Sequence, residues 1–190
     1  MTTADFVARM RAFIETLPDA NDEGAAYFTR PHPPLAEDEI RAAEKRFEHR
    51  LPPSLRAVYA EIANGGFGPA YGMLGLVGGA KQEDGNDALA QYELFRQPDD
   101  EDPLWAWPDG LLPVVHLGCA MFLCVDCTGA AGYVTWWDPN ALVDGEPLDD
   151  AMFESDVTFE HMMDAWMRGE DVEALVAEAS EAVRAREAPT

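Results

Sequence analysis

From Asp5 to Leu17 the apolar residues Phe6, Met10, Phe13, Ile14 and Leu17 recur at three- and four-residue intervals, which places them on one stripe of a helix. Thr3 is suited to cap its start and Pro18 to stop it. Residues 18–34 hold Pro18, Gly24, Pro31, Pro33 and Pro34, cannot continue the helix, and read as a connection. A second helix is expected from about Leu35 to Phe47. It turns Ile40, Ala43 and Phe47 inward and places Glu37, Asp38 and Glu39 in a first turn that favours negative charge. Pro52 and Pro53 open a third helix over 54–63. Its stripe of Leu55, Val58, Tyr59 and Ile62 ends at Asn64-Gly65-Gly66, the left-handed stop that a helix C-terminus takes.

Beyond that stop the pattern changes. Met73 to Val77 is a short apolar run bounded by glycines, as strands are. Residues 86–96 predict a short helix packed through Leu89, Tyr92 and Leu94 or Phe95. Leu111–Leu117, Ala120–Val125 and Tyr133–Trp137 are three strand-length runs separated by glycine-bearing turns at Gly118 and at 129–132, which predicts an antiparallel meander. The helices over 35–47 and 54–63 are expected to cover one face of it and to bury Ile40, Phe47, Leu55, Tyr59 and Ile62. Residues 150–190 read as C-terminal helices, near 159–167 and 172–184. Helices, then strands, then helices define an α+β class: an antiparallel or mixed sheet with helices mainly on one face, plus extra N-terminal and C-terminal helices. At 190 residues the chain is expected to form a single domain over 1–190.

Charge narrows the range of functions. With 36 Asp and Glu against 13 Lys and Arg the formal charge is −23, which excludes a nucleic-acid binder of the ordinary basic kind. The excess is uneven, because residues 97–167 carry 15 acidic residues and no Lys or Arg. Such a stretch is either a solvated surface or a steering surface for a cationic partner, and anionic lipid headgroups would repel it. No apolar run approaches a membrane span, and the first residues resemble no secretory signal. A cytoplasmic location is expected. Three cysteines, an odd number, suit free thiols in a reducing compartment.

Candidate chemistry is sparse. His116, Cys119, Cys124 and Cys127 form a permitted zinc set, but Cys119 and Cys124 lie five apart near one strand and would project to opposite faces. Small buried packing residues are the favoured reading, so no metal and no cofactor is expected. Ser54, Ser155 and Ser180 sit in no GxSxG context, and His32, His49 and His161 have no ordered acid and nucleophile beside them. No phosphate-binding glycine loop occurs. Trp136 and Trp137 are neighbours on a strand and must face opposite ways, one into the core and the other over a helix or open to solvent. An open indole beside Asp138 would suit a protein interface.

The stretches 35–66 and 105–138 together resemble the SUKH superfamily, over about residues 35–138, with 1–34 outside the likeness. It rests on Glu44, Leu51-Pro52, Tyr59, Asn64-Gly65-Gly66, Trp107, Leu112-Pro113, the Phe122–Asp126 strand and the aromatic-rich Tyr133–Asp138 run. Glu48 departs from it, since the family usually has Gly four residues after the glutamate. The resemblance implies a protein-binding sheet rather than an active site. It points to a bacterial immunity protein that neutralises a toxin domain by direct binding, and the acidic charge suits a cationic, nuclease-like toxin. The alternative is a regulatory scaffold of the same fold with a cellular partner, and an enzyme is third. Asp99, Asp100, Glu101, Asp102, Trp105, Trp137 and Asp138 are the candidate partner-binding residues, while Glu44, Leu51, Pro52, Tyr59, Asn64, Gly65, Gly66, Trp107 and Pro113 are expected to serve structure.

Overall fold

Thr2, one residue earlier than the pattern suggests, caps the first helix: its hydroxyl accepts the Asp5 N–H at 3.2 Å while the Asp5 carboxylate accepts the Thr2 N–H. The computed structural model describes residues 2–17, 30–99, 102–143 and 145–187; most of the proline-rich connection lies outside them. Helix α1 (Thr3–Ile14) buries Phe6, Val7 and Met10. Arg9 Nη2 ties it to the carboxylate of Asp164 at 2.6 and 2.8 Å. Helices α2 (Glu37–Phe47) and α3 (Pro53–Glu61) follow, the latter with proline at its first position, where no N–H is needed. Ile40, Phe47, Leu55 and Tyr59 are buried as expected, whereas Ile62 is half-buried because α3 ends at Glu61.

The run Met73–Val77 does not form a strand of the sheet. It contributes one isolated bridge, Met73 to Val115, and then departs through Gly78 and Gly79, both at positive φ. Helix α4 (Ala88–Phe95), capped by Asp87, runs beside the sheet edge so formed.

The sheet is a four-stranded antiparallel meander in the order β1 (Leu111–Gly118), β2 (Met121–Asp126), β3 (Tyr133–Trp137) and β4 (Met152–Thr158). Strand β4 corrects the sequence reading, which placed only helices after residue 150. Its alternation is masked by consecutive Met152 and Phe153 and by acidic residues at Glu154 and Asp156, as suits an edge strand. Helix α6 (Val172–Glu187) then covers that edge, with Arg184 Nη2 donating to the Met152 carbonyl at 3.3 Å.

Register sorts the side chains between the two faces. One row is Val115, Leu123, Trp136 and Phe153, with Leu112, Val125 and Val134 on the same back face. Pro52, which leads into α3, approaches this face near Val125, and α5 (Phe159–Met167) packs on β3 and β4. On the front face the row is His116, Phe122, Trp137 and Met152, followed by Pro113, Cys124, Thr135 and Glu154. Every residue of β1 is buried, so both its faces are covered.

Candidate functional site

The front face is covered over only part of its area. Phe95, Trp105 and Trp107 cluster on Phe122 and Trp137, with Phe95 and Trp107 centroids 4.2 Å apart and Trp107 edge-on to Trp137 at 5.2 Å. Trp107 Nε1 donates to the Leu111 carbonyl at 2.8 Å and Trp105 Nε1 to the Phe95 carbonyl at 2.7 Å, which fixes both rings. Beyond this cluster the face opens into a concavity of about 310 Å³ whose lining includes Asp109, Leu111, Asp126, Tyr133, Thr135, Met152 and Glu154. A second hollow, sharing Pro108, Met152 and Glu154 with the first, extends toward Asp149 and Arg184.

The electrostatics of this face are one-sided. Asp109 is the occupied member: His49 Nε2 lies 2.9 Å away, Arg96 Nη2 3.6 Å, and the Tyr92 hydroxyl donates to it at 3.3 Å. Asp126 uses Oδ1 to accept both the N–H and the hydroxyl of Thr128. Neither Asp126 nor Glu154 has a Lys or Arg within ion-pair distance among the described residues. The concavity therefore sets the carboxylates of Asp109, Asp126 and Glu154 beside the apolar side chains of Leu111 and Met152, a lining of negative charge.

Of the partner-binding candidates, Trp137 is 1% exposed, its indole enclosed by Phe95, Trp105 and Trp107, because the register turns it to the covered half of the front face. Trp136, on the back face, is half-buried. Trp105 is half-buried within the same cluster. Asp138 caps a short 3-10 turn through the Asn140 N–H at 2.9 Å, and Asp102 accepts the Leu104 N–H at 3.0 Å, so both organise their own loops. Asp99 is exposed. Asp100 and Glu101 lie outside the described residues. Thr135, Asp126 and Glu154 were not singled out from the sequence. Alternation along β3 would have aligned Thr135 with Trp137, but Glu154 could be placed only once β4 was known.

The motif residues hold the scaffold around this face. Glu44 is buried and accepts the Leu51 N–H, with Arg50 and Arg56 at 3.3 Å. The Tyr59 hydroxyl donates to the Leu74 carbonyl at 3.0 Å, and its burial pushes the phenol well above its ordinary range. Gly65 and Gly66 have positive φ, and a Cβ on either would fall within 2.5 Å of the main chain of Gly75 or of Arg30.

The residues of the zinc set do not converge. Cys119 is exposed in the β1–β2 turn, Cys124 and Cys127 are buried, and His116 lies against Tyr71 and Phe122. Among the described residues no group of three or more His, Cys, Asp or Glu is placed to hold a metal ion. Burial raises both buried thiols well above the usual range and lowers His116. No helix of the described residues is long and apolar enough to cross a membrane.

The family model of SMI1 / KNR4 (SUKH-1) matches residues 34–165, from just before α2 into α5 and through all four strands. Neither the curated proteins nor the solved structures contain a significant match. The matched span takes in more than half of the chain together with the Glu44 turn, the Asn64-Gly65-Gly66 stop and the entire sheet, and the protein belongs to the SMI1 / KNR4 (SUKH-1) family.

Proposed function

We propose that the chain is an immunity protein, a non-enzymatic inhibitor that binds and silences a cationic, nuclease-like toxin domain. Family membership supports a non-catalytic domain of immunity or regulatory type that binds a protein partner. The observation that carries the cationic partner is the stretch 97–167, with 15 acidic residues and no Lys or Arg, which supplies β1 to β4 and the loops around the open front face. Enzymes that act on nucleic acid concentrate positive charge at the substrate channel, and an acidic surface matches that field in sign and steers the encounter.

The test is co-expression with any nuclease-type toxin domain found encoded beside this chain, scored by growth. Restored growth that tracks with co-purification of the two chains is the expected result. Continued toxicity with no complex contradicts the proposal, while a complex without rescue favours a regulatory scaffold of the same fold.

A further inference from the structure

The front-face concavity has a more specific chemistry than its charge. Thr135 lines it and is 7% exposed, yet its hydroxyl makes no hydrogen bond among the described residues. Cross-strand register places Thr135 opposite Glu154, so hydroxyl and carboxylate rise from the same face of adjacent strands. Asp126 commits only Oδ1 to Thr128, which leaves Oδ2 for another donor. Arg184, the cation beside the adjoining hollow, donates to the Met152 carbonyl and lies 4.5 Å over the Phe153 ring, so it is engaged elsewhere. Leu111 and Met152 line the concavity, and Tyr133, 46% exposed, presents an aromatic surface beside them.

These features suit one kind of occupant. An anion would be repelled by Asp126 and Glu154. A purely apolar side chain would strip water from the Thr135 hydroxyl and from Glu154 without replacing the hydrogen bonds lost. A guanidinium is flat and weakly hydrated, stacks on aromatic rings, and carries several donors at its edge that match carboxylates and hydroxyls. An ammonium could satisfy one carboxylate but would gain less from the tyrosine face.

We propose that this concavity is a docking pocket for an arginine side chain of a partner protein, which donates to Glu154 and to the Thr135 hydroxyl and stacks against Tyr133. The proposal rests on the reading of a cationic protein partner given above and names its point of contact.

The experiment needs no partner. The 15N-labelled full chain is titrated with N-acetylarginine amide, and with its neutral isostere N-acetylcitrulline amide, while backbone amide shifts are followed by NMR. The expected result is a saturable response confined to the amides around Tyr133, Thr135 and Glu154, with a dissociation constant on the order of millimolar. Glu154→Gln should weaken it about tenfold and Thr135→Val about threefold, since charge-assisted bonds are the stronger. Thr135→Val should leave the urea midpoint unchanged, because the hydroxyl has no intramolecular partner to lose, and this separates a ligand-binding role from a structural one. Non-saturating shifts scattered over the acidic loops overturn the pocket, as do equal responses to citrulline or an undiminished response in Glu154→Gln. Loss of growth rescue by the wild-type chain counts against the toxin reading alone, since the titration contains no toxin.

Discussion

Glu44 accepts the main-chain N–H of Leu51 at 3.1 Å, bridging the turn that joins α2 to α3. The carboxylate is almost wholly enclosed, and Arg50 and Arg56 compensate its charge at 3.3 Å. Truncation by Glu44→Ala leaves a buried N–H without an acceptor and Arg50 without its carboxylate, while Arg56 keeps Glu37 at 2.6 Å. It should cost about 3 kcal/mol. Glu44→Gln keeps one acceptor and should cost clearly less. Urea denaturation measures both, and an alanine variant within about 0.5 kcal/mol of wild type would show that the turn does not depend on this carboxylate.

Glu48 ends α2 in the left-handed conformation, at φ +66°, where a Cβ is disfavoured. Its side chain is exposed, so replacement by glycine removes strain without removing packing. Glu48→Gly should raise stability by about 0.5–1 kcal/mol after the extra chain entropy of glycine is counted. A lowered urea midpoint would mean that the glutamate makes a compensating interaction.

Asn64 joins the end of the α3 region to the segment that follows it: Oδ1 accepts the Leu76 N–H at 2.8 Å and Nδ2 donates to the Val77 carbonyl at 2.9 Å. Leu76 is buried, so Asn64→Ala should destabilise by about 2 kcal/mol. Asn64→Asp, which retains only the acceptor, should retain part of the stability near neutral pH. Equal losses in the two variants would place the whole effect on the donor side.

The three thiols should behave differently. Cys119 is exposed in the β1–β2 turn, whereas Cys124 and Cys127 are enclosed and burial raises both above the ordinary thiol value of 9.0. Native protein should therefore react with a thiol reagent at one site per chain and at all three after unfolding. Because the folded chain favours the protonated thiols, their contribution to stability is complete below the unfolded-state value and is lost as pH rises beyond about 9. Rapid labelling of all three in the native state, or no alkaline loss of stability, would contradict this burial.

The legible parts of the fold were those in which local pattern and tertiary role coincide. The helices over Ile40–Phe47 and Leu55–Tyr59 follow from their stripes, and the hairpin strands from paired apolar runs separated by glycines. The Met73–Val77 run is apolar because Met73, Leu74 and Leu76 are buried, not because it is a strand, and periodicity does not distinguish the two. Strand β4 was missed because an edge strand carries acidic residues on its open face and only a short apolar alternation. The Trp136–Trp137 pair shows the same limit: alternation requires opposite faces, but only the pairing of Trp137 with Phe122 and Met152 decides which face each indole takes. Asp126, Thr135 and Glu154 come from three strands and have no signature along the chain, so their concavity emerges only from register.

The association rate of the purified chain with the toxin domain proposed as its partner, measured against ionic strength, tests the central claim most directly. Steering by the acidic stretch predicts a rate near about 10⁸ M⁻¹ s⁻¹ at low salt that falls steeply as salt screens the field. Replacing Asp99, Asp100, Glu101 and Asp102 by lysine should slow association more than it speeds dissociation. A rate that stays at about 10⁵–10⁶ M⁻¹ s⁻¹ and responds neither to salt nor to the four-lysine variant would contradict an acidic surface built for a cationic partner.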